Sequence, residues 1–171
     1  MNKLKFFSLA IFSILILSSC NKKTTDYEAI EFSNSLIDIL NPCILSSSIF
    51  FDAVGIGDPY EIDSTYKELI LMYEKAEEKI NTIEAVDHGE ELLEATRNIL
   101  QKTKESFLKH GNSIIEISHT LHTYYSNELL DSLYDYHADS IIFLFENLNE
   151  DFDIIHENFA NKYNFTILED D

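Results

Sequence analysis

The sequence predicts an all-α protein, an antiparallel up-down-up-down four-helix bundle with long helices. Three observations carry that expectation. The 171-residue chain holds only four Gly and two Pro, too few turn formers for a fold made of many short strands. Apolar residues recur in steps of seven, or of three and four, which is helical spacing. Capping chemistry falls in the gaps between these stretches.

In chain order, Ile30, Ile37, Ile44 and Phe51 share one seven-residue phase and predict a helix over 26–52. Pro42 lies inside it, where a missing backbone donor costs about 3 kcal/mol. The phase continues from Ile37 to Ile44, so a kink near Pro42 is expected rather than an end, with Asn41 as a cap in the alternative. Tyr66, Tyr73 and Ile80, joined by Leu69, Ala76 and Ile83, predict a second helix over 59–85. Its start reads Asp58-Pro59-Tyr60-Glu61, an N-cap, a proline at the first helical position and a capping-box acid. Leu93, Leu100, Phe107, Ile114 and Leu121 hold one phase through a third helix, 88–123, opened by Asp87-His88-Gly89-Glu90. Ala138, Ile141, Phe145, Leu148, Phe152, Ile155 and Phe159 predict a fourth over 127–163, with Ser126 or Asn127 as its cap. Helices of this length span roughly 40–50 Å. Short links make them antiparallel neighbours.

Ahead of the bundle stand Met-Asn-Lys-Leu-Lys, an apolar run from Phe6 to Leu17, then Ser18, Ser19 and Cys20. This is the order of a secretory signal, and the run is short of the about 20 residues a spanning helix needs. Leu17-Ser18-Ser19-Cys20 resembles the bacterial lipobox. The resemblance implies cleavage of residues 1–19 and covalent diacylglycerol and N-acyl lipid on Cys20. Residues 20–25 then form a lipidated tether and 26–171 the bundle domain. Several acyl chains hold far more firmly than one. Asn21 after the cysteine argues, by resemblance to lipoprotein sorting rules, against retention at the inner membrane. Lys22 and Lys23 stand where some surface-exported lipoproteins carry acids. The outer membrane facing the periplasm is expected, with the cell surface as the alternative.

Losing Lys3 and Lys5 with the signal moves the formal charge from −19 to −21, against 31 acids. A polyanion of that density repels DNA and RNA, so no nucleic-acid partner is expected. Of the two cysteines, acylation of Cys20 leaves Cys43 alone, and its Ile44-Leu45 neighbourhood reads as a small buried hydrophobe.

The histidines offer the sharpest chemistry. Glu116-x-x-His119 and Asp153-x-x-His156 look like the acid-x-x-His pairs of di-iron bundles. Measured from the third link, near residue 124, the two motifs differ in level by about 27 residues, or about 40 Å. They cannot share one metal. Glu116, His119 and His122 could line one helix face as ligands to Zn²⁺ or a similar ion; a polar helix end is the favoured reading. His110 and His137 are nearly equidistant from that link and should sit level. A hydrogen-bonded core pair is expected there, with a ligand pocket as the alternative. No phosphate loop follows Gly55-Ile56-Gly57, and no nucleophile elbow is visible. No catalytic residues and no cofactor are expected.

The run Phe159-Ala160-Asn161-Lys162-Tyr163-Asn164-Phe165 resembles the closing F-A-x-K-Y-N-F signature of small helical bacterial lipoproteins grouped as surface proteins of unknown function. The lipobox, Tyr27-Glu28 at the start of the mature chain, and four amphipathic helices fit that layout. The resemblance implies a helical bundle and supplies no activity. Tyr163 and Phe165 are expected to fold over the bundle end. The functional expectation is a non-catalytic, membrane-anchored envelope lipoprotein that binds another envelope component. The alternative is a solute- or metal-binding lipoprotein using a histidine-containing site.

Overall fold

The computed structural model describes residues 24–123 and 128–167. These form four α-helices: α1 (Asp26–Ile56), α2 (Pro59–Ile80), α3 (Glu90–Thr123) and α4 (Glu128–Lys162). The lipobox, Cys20 and the candidate caps Ser126 and Asn127 lie outside the described residues.

Side-chain pairings show each neighbour running opposite to the last. Late α1 meets early α2, where the Phe50 and Tyr66 rings lie 5.5 Å apart. Tyr66 Oη in turn donates to the Phe107 carbonyl of α3 at 3.0 Å, while Glu77 nearer the end of α2 takes an ion pair from Lys104. His110 of α3 meets His137 of α4, and Phe159 near the end of α4 returns to Phe32 at the start of α1. The fold is the expected antiparallel four-helix bundle.

Phe107 is the hub of one half of the core, with Phe50, Phe51 and Tyr73 rings all within 6.1 Å of its centroid. The third-helix phase is buried as expected at Leu93, Leu100, Phe107 and Ile114. Thr96 and Thr103 fill the same face three places on.

In α1 the core uses a different stripe from the one the spacing suggested. Ala29, Leu36, Cys43 and Phe50 are buried, one residue ahead of Ile30, Ile37, Ile44 and Phe51. Both series carry a seven-residue period, so periodicity alone does not choose between them. Packing does: the first series is fully buried, while Ile30, Ile37 and Phe51 are half-buried and Ile44 is exposed. The helix also passes Pro42 and ends at Ile56, later than expected, with Gly57 in the left-handed region at φ 83°. The Asp38 carbonyl, which would receive the missing Pro42 N–H, belongs to an exposed residue. A capping box on Thr25 and Glu28 starts the helix.

The link between α2 and α3 is longer than expected. α2 stops at Ile80, because Thr82 and Ile83 turn back onto Lys79 and Ile80 through short-range backbone bonds of 3.1 and 3.2 Å. The Thr82 hydroxyl bonds the Lys79 carbonyl as well. Ile83, Ala85 and Val86 still pack on the core, but from a link rather than a helix. Asp87 does not open α3 as its cap. The Leu93 N–H donates to the Gly89 carbonyl, so Gly89 stands at the helix entrance, and His88 before it has φ 58°.

Both chain ends meet this link. The Asp87 N–H donates to Thr24 Oγ1 at 3.0 Å, and Tyr163 Oη donates to the Asp87 carbonyl. Thr24 is buried and belongs to the bundle rather than to a free tether. The C-terminal run ends α4 as a Schellman cap. Asn164 is left-handed at φ 54°, the Phe165 N–H reaches the Ala160 carbonyl at 3.1 Å, and Phe165 packs on Phe159.

Candidate binding groove and the histidine pairs

The seam between α1 and α4 is the most open of the four. The other three neighbouring pairs, and even α1 with α3 across the diagonal, approach more extensively. The gap follows from the sequence of α1. Its core stripe ends on small side chains at Ala29, Ser33 and Cys43, and the next stripe, Ile30, Ile37, Ile44 and Phe51, is left facing the gap. Two cavities result, both touching Ile44. One of about 480 Å³ runs past Ile30, Ile37 and Ile44 to Phe152 and the tail residues Phe165 and Ile167. The other, of about 310 Å³, lies among Ile44, Phe51, Phe107, Ile141, Ile142 and Phe145. Both lie along the α1–α4 seam and meet at Ile44, and this seam is the groove, with the folded-back tail at one end.

The wall of the first cavity carries a buried polar bond between the helices. Ser33 Oγ and His156 Nε2 lie 2.6 Å apart. Burial lowers the His156 pKa against the opposing pull of Asp153, whose own pKa burial raises. A hydroxyl satisfies a neutral imidazole, and burial disfavours the charged one. Because the folded value lies below the unfolded ~6.5, His156 supports the fold fully above that pH. The support fades as pH falls through ~6.5 toward the folded value. In urea titrations at pH 7 and pH 5.5, His156→Phe combined with Ser33→Ala should show a smaller acid loss than the parent chain. An equal loss in both would remove His156 as its source.

The second cavity is walled mainly by apolar side chains, with Ser47, Ser48, Thr103 and Glu146 as its polar residues. Thr103 lines it, and its Oγ1 is buried without a hydrogen-bond partner among the described residues. Thr96, one heptad earlier, bonds its i−4 carbonyl instead. An unpaired buried hydroxyl is destabilising, so Thr103→Val should raise unfolding free energy by about 1 kcal/mol. A denaturation midpoint unchanged or lowered would show that the hydroxyl is satisfied.

The candidate residues of the sequence fall into separate places. His110 and His137 do sit level, with Nδ1 atoms 2.9 Å apart and ring centroids 5.2 Å apart. One nitrogen donates and the other accepts, so this bond needs at least one neutral Nδ1. Burial, then Lys109 and His137, lower the His110 pKa. Tyr136 packs edge-on against both rings. His119 Nε2 faces Asp63 of α2 at 3.5 Å, while Glu116 is exposed. The His122 side chain lies outside the described residues. No group of three His, Cys, Asp or Glu converges to hold a metal among the described residues. Cys43 is buried, and burial followed by the charge of Glu77 pushes its thiol up to about 12, a setting for packing rather than nucleophilic attack.

The groove itself was missed at the level of sequence, although its α1 wall was singled out there as the core stripe. The signal was an excess of apolar residues. α1 is long and apolar enough by composition to cross a membrane, yet only 33% of its most apolar window is buried in the fold. A core helix of a closed bundle would cover more.

No protein-family model, curated protein or solved structure matches the chain. What the fold defines is a class, an all-α antiparallel four-helix bundle with one open seam.

Proposed function

We propose that this chain is a membrane-anchored envelope lipoprotein whose bundle is a non-catalytic binding module, and that the α1–α4 groove is its binding surface. The observation that carries the reading is the groove along the α1–α4 seam, where Ile30, Ile37, Ile44 and Phe51 face two cavities instead of a packed neighbour. The anchor is proposed from Leu17-Ser18-Ser19-Cys20. With Thr24 tied to the bundle, only Cys20 to Lys23 separate lipid from fold. Four residues reach at most about 14 Å, which holds the end of the bundle bearing Thr24, Asp87 and Tyr163 close to the bilayer. The outer membrane facing the periplasm is the proposed location. Cell fractionation of the parent and of Cys20→Ser tests the anchor. The parent should partition with membranes and incorporate a clickable fatty acid, and the variant should take up no label. A parent chain recovered in the soluble fraction without label would end the lipoprotein reading.

A further inference from the structure

We infer that the α1–α4 groove receives a basic amphipathic helix from a partner protein, which packs as a fifth helix along the open seam. The inference rests on the binding-module reading above and names the chemistry of the partner. Three features of the molecule support it. The groove has the length and lining of a helix seat: Ile30 to Phe51 covers about 32 Å, the rise of an occupant of about 20 residues. Anchors at i, i+3, i+4 and i+7 would meet Ile37, Ile44 and Phe51 on one side and Ile141 and Phe145 on the other, the helix-in-groove mode of recognition.

The α4 rim is acidic: Asp153 and Glu146 line the two cavities and are exposed. On α1 the polar residues beside the apolar wall are Asn34, Asn41, Ser47 and Ser48, and the helix's exposed acids Glu31, Asp38 and Asp52 lie outside the cavity linings. α1 contains no Lys, Arg or His, and Lys162, at the far end of α4, is the only Lys or Arg on that helix. The other basic side chains of the helices sit on α2 and α3, away from the open seam. An apolar floor beside an acidic α4 rim complements a helix with one apolar face and Lys or Arg along the flank that meets α4.

The apolar surface continues over the rim, where Leu45, Ile49 and Phe143 are exposed, Phe143 by 69%. The same charges disfavour the other occupants. A second copy would bring like charge against like charge, an anionic bilayer surface would meet acids rather than cations, and a neutral acyl chain would leave the acidic α4 rim without partners.

The test uses the full chain with a photoreactive benzoylphenylalanine at Ile142 in the groove, or at Leu71 on α2 as the control. The probe is a biotinylated Leu/Lys peptide with helical Leu spacing, about 20 residues long. Adducts at 142 should exceed those at 71 by about tenfold and fall by about tenfold with Ile44→Glu or Ser48→Arg. Tyr60→Glu, the same added charge at an exposed α2 position outside both cavities, should leave them nearly unchanged. Ser48 is an exposed groove residue, so Ser48→Arg reads the groove even if Ile44→Glu disturbs the fold. Equal adducts at 142 and 71, adducts indifferent to Ile44→Glu and Ser48→Arg, or equal capture of a Leu/Glu peptide of the same spacing would each overturn the inference. So would a chain-to-chain adduct or a phospholipid adduct that the peptide fails to displace. The same assay on Cys20→Ser reads docking without the anchor, so failure of the anchor and failure of the groove are separate results.

Discussion

Phe107→Ala should lower the unfolding free energy by about 3–5 kcal/mol, the range for an aromatic ring removed from a packed core. The ring is 1% exposed and sits where α1, α2 and α3 converge. It touches Phe50 edge-on and Phe51 and Tyr73 at a tilt, so no single neighbour can swing in to fill the space. The backbone at this position also matters, since its carbonyl accepts from Tyr66. Removing the side chain frees Tyr66 and Phe50 to shift and spreads the loss to the α1–α2 contact. Equilibrium denaturation of the purified chain measures it, and a loss below about 1.5 kcal/mol would mean that the cluster repacks.

Gly111→Ala should destabilise by about 1–3 kcal/mol, against the helix preference for alanine. In an exposed helix interior the same change stabilises by roughly 0.5–1 kcal/mol. Here a Cβ would lie 2.4 Å from Tyr66 Cε2 and 3.0 Å from Cζ. The ring cannot move away cheaply. Its hydroxyl is bonded to Phe107 and its face is packed on Phe50. Gly55 is the internal comparison, because a Cβ there meets nothing within 4 Å. Gly55→Ala should gain the ordinary helix preference, and opposite signs at the two positions are the expected outcome. A gain at both would show that α2 and α3 can separate at Tyr66.

Much of the bundle was legible before any coordinates. Regular apolar spacing and the scarcity of Gly and Pro were enough for four helices, since each must bury one face and few turns are available to interrupt it. Counting from one link placed His110 level with His137, because helix rise is constant and a short link sets two antiparallel helices in register. The candidate site was far less legible. Asp153-x-x-His156 was weighed as half of a di-iron motif and set aside on the difference in level, while the actual partner of His156, Ser33, lies 123 residues away with no local pattern to mark it. Asp63 opposite His119 is equally distant in pattern.

The sequence by itself determined that there are four amphipathic helices, that α1 carries no Lys, Arg or His, and that α1 carries more apolar surface than one core face needs. Tertiary structure decided which surplus is hidden. Ala29, Leu36, Cys43 and Phe50 compete with Ile30, Ile37, Ile44 and Phe51 for the interior, and both series obey the same period. Packing buries the first and leaves the second half-buried or exposed along the open α1–α4 seam. Periodicity states that a helix has an apolar face; which neighbour covers that face is a property of how several helices pack together.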